Sequence, residues 1–315
     1  MNKSVLDICK EWLDTFVVAI SVAMAFRAYF YTPFNIPTGS MMPTLYGNHS
    51  EAAKPSNATF WDHAPMSLLK WAWTGSFFRT VQAPATGTLM LSPLNTGFVR
   101  LSVSTLPGKT FEIPTDAFKT SADGRPYLPN GLTHGSRVRV GELIWCGTVK
   151  SGDFLFVNRW IWNFRHPRRG DVMIFATTGI DGLQQGTHYI KRMTGLPGEE
   201  ITMDPPRLVV NGKPAEETGR IGQIARQEKF APFAFPYPGF AFSGSLDPRH
   251  NVPGRTLARP GDVVKLGPDE YFACGDNSPA SYDSRWWGPV PGRNLRGCAG
   301  AVFWPFASPR WGLIH

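Results

Sequence analysis

Three stretches of this 315-residue chain hold side chains able to make and break bonds. Phe34-Asn35-Ile36-Pro37-Thr38-Gly39-Ser40-Met41-Met42-Pro43-Thr44-Leu45 presents one serine hydroxyl between a glycine and two methionines. Taken alone it reads as a turn, with Pro37 fixing φ and Gly39 permitting a sharp bend. Tyr189-Ile190-Lys191-Arg192-Met193-Thr194-Gly195-Leu196-Pro197-Gly198-Glu199 puts a lysine inside an apolar run. As a strand, it would place Tyr189, Lys191 and Met193 on one face. Gly275-Asp276-Asn277-Ser278-Pro279-Ala280-Ser281-Tyr282-Asp283-Ser284-Arg285-Trp286-Trp287-Gly288 is a dense polar loop.

A serine that hydrolyses amides needs a base for its proton and donors for the developing oxyanion. Of the seven histidines only His188 touches one of these stretches, at a flank. A neutral lysine can serve as the base. An unperturbed lysine titrates near 10.4, and desolvation lowers that by several units. A drop of two to three units costs about 3–4 kcal/mol, so only a well-packed site holds such a residue. The residues alone also allow plainer roles: a strand lysine paired with Glu199 or Glu200, and Ser281 as one of three turn hydroxyls between Ser278 and Ser284.

In order and in their specific positions, the three stretches resemble the sequence boxes of type I signal peptidase (leader peptidase), a membrane-anchored serine–lysine protease family. The resemblance implies Ser40 as nucleophile and Lys191 as general base. It places Ser281 where relatives hydrogen-bond the lysine amine, and Thr38 where many have a serine that donates to the oxyanion beside the Ser40 N–H. Asp283 and Arg285 are implied as a charge-assisted pair bracing the loop, with Gly275 as further support. Phe34, Ile36, Pro37, Met41, Leu45, Tyr189 and Ile190 match positions lining shallow apolar subsites for small side chains. A substrate would add as a strand beside residues 34–38 and 187–190. No metal and no cofactor is implied. The partners would be signal peptides of exported preproteins and the phospholipid bilayer, without nucleic acid. The implied function is a membrane-bound endopeptidase that removes N-terminal signal peptides.

The elements that must position these residues begin with an anchor. Thr15 to Phe26 runs without a charge. Trp12-Leu13 and Ala28-Tyr29-Phe30-Tyr31 extend it toward the roughly 20 residues of a span, with Arg27 snorkelling to the interface. A cleaved secretory signal is the rival reading, because Ala23-Met24-Ala25 has the small-x-small form. Three acids in the leading region and the closeness of Ser40 favour an uncleaved anchor over 1–31. By resemblance, residues 32–315 lie outside the cytoplasmic (inner) membrane, on the periplasmic side of a single-pass protein.

Similarity lapses after Leu45 and resumes at Gly152-Asp153, so about 46–150 reads as a large insertion. Thr88–Ser92, Phe98–Ser104 and Arg137–Val140 give strand signals there, and Asp123-Gly124 and Pro129-Asn130-Gly131 give turns. Asn211-Gly212 after Leu208-Val209-Val210 predicts a hairpin. A peripheral loop or subdomain is expected over about 203–259, rich in Pro and Phe from Ile221 onward (Phe230, Phe233, Phe235, Phe240, Phe242). Four scattered cysteines show no ligand spacing; Cys274 and Cys298 could face each other on neighbouring strands, with free thiols the default. The expected fold is mainly β: an antiparallel catalytic domain, one N-terminal transmembrane helix and a β-rich insertion.

Net charge is +8 and the pI about 9.4. Nucleic acid or anionic lipid would suit that balance, but no run of five or more Lys/Arg appears. Self-cleaving repressors also use a serine–lysine pair on a related β fold. The apolar anchor and the lack of a helix-turn-helix pattern argue against them. A non-catalytic peptide binder would need none of Ser40, Lys191 and Ser281. Trp160, Trp162 and Phe164, and Trp304, Phe306 and Trp311, form two aromatic groups whose rings would either fill the core or enter a head-group layer.

Overall fold

The computed structural model describes residues 5–94, 97–121, 125–215, 219–229, 236–243 and 256–314. Helix Val5–Tyr29 opens the chain. Its segment Cys9–Tyr29 is long and apolar enough to cross a membrane, and none of it is buried inside the protein. At 1.5 Å per residue those 21 residues span about 31 Å.

The architecture beyond is mostly antiparallel β. The main sheet runs in the order Tyr31–Asn35, Phe154–Asn158, Leu295–Trp304, Val172–Ala176, His188–Gly195, Glu270–Cys274 and Val290–Pro291, with Gly312–Leu313 added on Leu295–Trp304. The first strand and the lysine-bearing strand lie four places apart in that order. They nevertheless share a cluster in which Phe34 and Ile190 pack against Ile36, Met41, Leu45 and Leu155, so the sheet curls. Its other face buries Met173, Phe175, Met193 and Trp287. Alternation along His188–Gly195 sends Ile190 to one cluster and Tyr189 and Met193 to the other.

A second sheet holds Lys213–Pro214, Arg207–Val210, Glu200–Asp204 and Val264–Lys265. The Asn-Gly hairpin forms as expected, with Val210 opposite Lys213 and with φ of 50° and 75° at Asn211 and Gly212. Such left-handed values at both central residues are what a two-residue turn between right-twisted strands requires.

Among the described residues the insertion supplies a three-stranded sheet, His49–Ala52, Leu143–Lys150 and Ser76–Gln82, a four-stranded one, Leu106–Pro114, Phe98–Val103, Gly87–Pro93 and Arg137–Val138, and a short pair, Lys119–Thr120 and Pro126–Tyr127, the two larger sheets forming the body of the insertion. The two larger sheets share one core of Val81, Leu89, Leu101, Ile113, Ile144 and Trp145. The three anticipated strands are present, and so is the turn at Pro129-Asn130-Gly131, where the Gly131 N–H donates to Leu128 O. Asp123-Gly124 lies outside the described residues.

One expectation is corrected here. The strands of Cys274 and Cys298 are not neighbours, because Val172–Ala176 and His188–Gly195 lie between them; both thiols are free. The stretch after Ile221 packs against the second sheet. Helix Gly219–Ala225 buries Ile221 and Ile224, and Tyr237, Phe240 and Leu257 join the same core as the second sheet. Phe242 packs on that core, while Phe230, Phe233 and Phe235 fall outside the described residues.

Candidate active site

The serine turn is a short helical segment, Gly39–Met41, entered from extended Thr38. Ser40 is buried, and its carbonyl accepts from the Asn277 N–H at 3.0 Å. The Asn277 side chain donates to Gly39 O at 3.1 Å. The polar loop thus clamps the serine turn through its backbone. Two glycines allow the approach. A Cβ on Gly275 would lie 2.4 Å from Ser40 O and 2.2 Å from Ser281 Oγ, and one on Gly47 would lie 2.3 Å from the Thr38 carbonyl carbon. Both clash with backbone, which cannot swing away.

Lys191 reaches Ser40 directly: Nζ donates to Oγ at 2.6 Å. The lysine is 4% exposed, on a strand that pairs Lys191 with Met173, and its amine lies 5.8 Å from the Tyr189 ring centre. Burial pushes its pKa down to about 8, against the pull of Asp283 and Asp276 and with help from Arg285. Glu199 and Glu200 do not pair with it; they hold Arg169 and Lys265. His188 stacks edge-on against Phe34 at 5.5 Å, three residues along the strand from Lys191. The rest of the site is carried by two buried ion pairs.

The first was anticipated. Arg285 donates to both Asp283 oxygens at 2.7 and 2.8 Å, and also to the carbonyls of Ala241, Ser278 and Ser281. Burial alone would raise the Asp283 pKa, yet Arg285 and the Gly275 N–H hold it below the usual range. The second pair has no role in the sequence reading: Arg192 donates to Asp276 at 2.7 and 2.6 Å, both side chains at most 1% exposed. Thr44 also donates to Asp276 and shares a 2.8 Å hydrogen bond with Tyr237. The signal lay in the motifs themselves, where two charged residues stand in otherwise apolar or tightly turned segments.

Ser281 departs from the expectation. Its hydroxyl is buried and makes no hydrogen bond to Lys191, whose amine is turned to Ser40. It lies close enough to Asp283 to help keep that carboxylate ionised, but without the geometry of a hydrogen bond. Thr38 is exposed, and its hydroxyl caps nothing. Among the subsite residues Phe34, Pro37, Tyr189 and Ile190 are half-buried, while Ile36, Met41 and Leu45 are at most 1% exposed and floor the cluster beneath them.

Fold and site together define a β protein with an apolar N-terminal helix and a buried lysine hydrogen-bonded to a serine. The chain belongs to the signal peptidase family, peptidase S26, whose model matches residues 9–56 and 146–304 and leaves 57–145 unmatched. It is 33% identical over 168 residues to a probable signal peptidase I-2 of Synechocystis sp., covering 53% of this chain and 61% of that one. It is 30% identical over 163 residues to a signal peptidase I of Leptolyngbya laminosa, covering 50% and 63%. A signal peptidase I of Pseudomonas aeruginosa aligns at 30% over 215 residues, covering 53% and 67%. The chain thus spans about three fifths of the length of the first two of these relatives.

Proposed function

We propose that this chain is a membrane-bound endopeptidase that cleaves N-terminal signal peptides from exported preproteins, with Ser40 as nucleophile and Lys191 as general base. The observation that carries the reading is the 2.6 Å contact between a buried lysine amine and the serine hydroxyl. Neutral Lys191 takes the Ser40 proton as Oγ attacks the scissile carbonyl. The oxyanion is held by the Ser40 N–H and, after a rotation, the Thr38 hydroxyl. The lysine then protonates the leaving amine, and water activated by the same amine hydrolyses the ester. The acyl side of the substrate lies as a strand between residues 34–38 and 187–190, over Phe34, Pro37, Tyr189 and Ile190. The test is the detergent-solubilised chain incubated with a labelled preprotein: one cut by the parent and none by Ser40→Ala is the expected result. Cutting by the variant would remove Ser40 from the mechanism.

Ser281 acts as a positioning residue in this scheme. Its buried hydroxyl has no directional partner before reaction, and such a group costs about 1–3 kcal/mol. Ser281→Ala should therefore leave the melting temperature unchanged or raise it, while lowering kcat/KM about tenfold and moving the pH profile. A purely structural serine would instead lose stability and keep the profile.

The bilayer is the second partner in this reading, and a path of ring contacts supports it. From the end of the apolar helix it runs Phe26–Tyr31, Tyr31–Phe156, Phe156–Phe303, Phe303–Phe154, Phe154–Trp304 and Trp304–Trp71, with centroids 4.2–6.5 Å apart. Trp71 belongs to insertion helix Met66–Thr74, none of whose residues is buried and which exposes Leu68, Leu69 and Trp73. Trp160, Phe164, Phe306 and Trp311 are exposed as well, whereas Trp162 packs against the core of Phe175 and Trp287. Exposed Trp and Leu beside a span suit the head-group layer. A form lacking residues 1–29 should still sediment with anionic vesicles, and its tryptophan emission should shift to the blue. Indifference to lipid in both would return these rings to ordinary surface.

A further inference from the structure

A cavity of about 780 Å³ opens beside Pro37, Thr38 and Gly39 of the serine turn. Of the seven subsite residues only Pro37 also lines it, and Lys191 does not. Its near wall is the catalytic turn with Asn277 and Ala280. Its far wall comes from the insertion and the C-terminal segment, through Thr74, Ser76, Thr115, Asp116 and Arg310. The insertion is pressed onto the catalytic turn here: a Cβ on Gly97 would lie 2.2 Å from Pro37 O.

A peptide laid over Phe34 and Ile190 with its carbonyl at Ser40 must continue beyond the serine turn, and Thr38 and Gly39 of that turn line this cavity. We propose that the cavity holds the first residues of the leaving, mature segment, that the insertion forms its outer wall, and that Asp116 makes it favour a basic over an acidic segment. This rests on the peptidase reading above and adds the half of the substrate which that reading leaves unplaced.

The charges support the last point. Two cations line the cavity, and both are already matched: Lys150 pairs with Glu51, and Arg310 with buried Asp153 at 2.6 and 2.9 Å. The Asp116 carboxylate accepts instead from the Ser50 N–H at 2.8 Å and the Ser50 hydroxyl at 3.0 Å. Both donors are neutral, so its charge remains to act on the cavity. Asp116 is exposed, and an exposed pair contributes up to about 1 kcal/mol, a selectivity of up to about fivefold.

The test uses the full chain in detergent and peptides that share one acyl side. The leaving part is either a single amidated residue or six residues with Lys or Glu at the second and third positions. The six-residue lysine peptide should exceed the single-residue one about tenfold in kcat/KM and the glutamate peptide about three- to fivefold. In Asp116→Asn, which keeps the acceptor for Ser50, the Lys:Glu ratio should fall toward one. Lys109→Gln, on the exposed part of strand Leu106–Pro114 and away from the cavity, should keep the parent ratio. Equal rates for long and short leaving parts would overturn the site. So would a ratio untouched by Asp116→Asn, or one lost equally in Lys109→Gln. If the parent cleaves none of these peptides, the peptidase reading itself falls, and this inference with it.

Discussion

Lys191→Met is expected to abolish cleavage, by on the order of 10⁴-fold or more in kcat/KM, and at the same time to raise the melting temperature at pH 7. The two effects have one cause. Burial holds the lysine near pH 8, against 10.5 for a free one. At neutral pH its charged form therefore costs the fold about 3 kcal/mol, which an apolar side chain of similar length does not. The sign follows from proton counting. Between about pH 8 and 10.5 the unfolded chain binds the proton and the folded one does not, so the parent gains stability as pH rises through that window. Below pH 8 both states are protonated and the full cost is present. The advantage of Lys191→Met should thus be constant below pH 8 and vanish above about 10.5. Activity of the parent runs on the same equilibrium: kcat/KM should fall about tenfold per pH unit below 8. Thermal melts of both forms from pH 6 to 10, beside the rate profile, check all of this. A variant less stable than the parent at pH 7 would mean that burial does not penalise the charged lysine.

The contact of Ser40 with Lys191 was legible because the two residues stand in short motifs with several fixed positions each, and a strand alternation of period two does the rest. Pairings between distant motifs were hidden. Arg192 and Asp276 stand as charged residues within two of the motifs but 84 positions apart, and only the pairing of His188–Gly195 with Glu270–Cys274 brings them together. The possible facing of Cys274 and Cys298 did not hold for the same reason, since flanking one loop says nothing of the two strands between them, while the free thiols expected by default are found. In the insertion, Leu106–Pro114 carries Pro107 and Gly108 at its start and five exposed residues before its buried end, so neither alternation nor an apolar run announces it. Helix Gly219–Ala225 has glycines at 219 and 222, poor helix formers that packing of Ile221 and Ile224 overrides. Ser281 shows the opposite limit: the sequence located the residue but not the rotamer of its neighbour, which a single 2.6 Å contact to Ser40 decides.

Removing one member of the Arg192–Asp276 pair should cost more than removing both. The pair is at most 1% exposed, and an uncompensated charge left at such depth costs about 3–5 kcal/mol. Asp276→Leu strands a guanidinium whose other donors reach only Gly170 O and Thr44. Arg192→Met strands a carboxylate that keeps only the Thr44 hydroxyl among these partners. In the double variant no charge remains, and burial of two apolar chains offsets much of the lost hydrogen bonding, so stability should return to within about 1–2 kcal/mol of the parent. A double-mutant cycle by chemical denaturation should then give a coupling of several kcal/mol; additive losses would show that the pair is solvated. Activity gives an independent reading. Asp276 pulls the Lys191 pKa up, while Arg192, the next residue on the strand, points to the opposite face from Lys191. The double variant, if its Asn277 clamp on Ser40 survives, should therefore move the acid limb of kcat/KM to lower pH. A limb that stayed in place would mean that Asp276 serves the fold alone, while a limb moved to higher pH would contradict the electrostatics of the site.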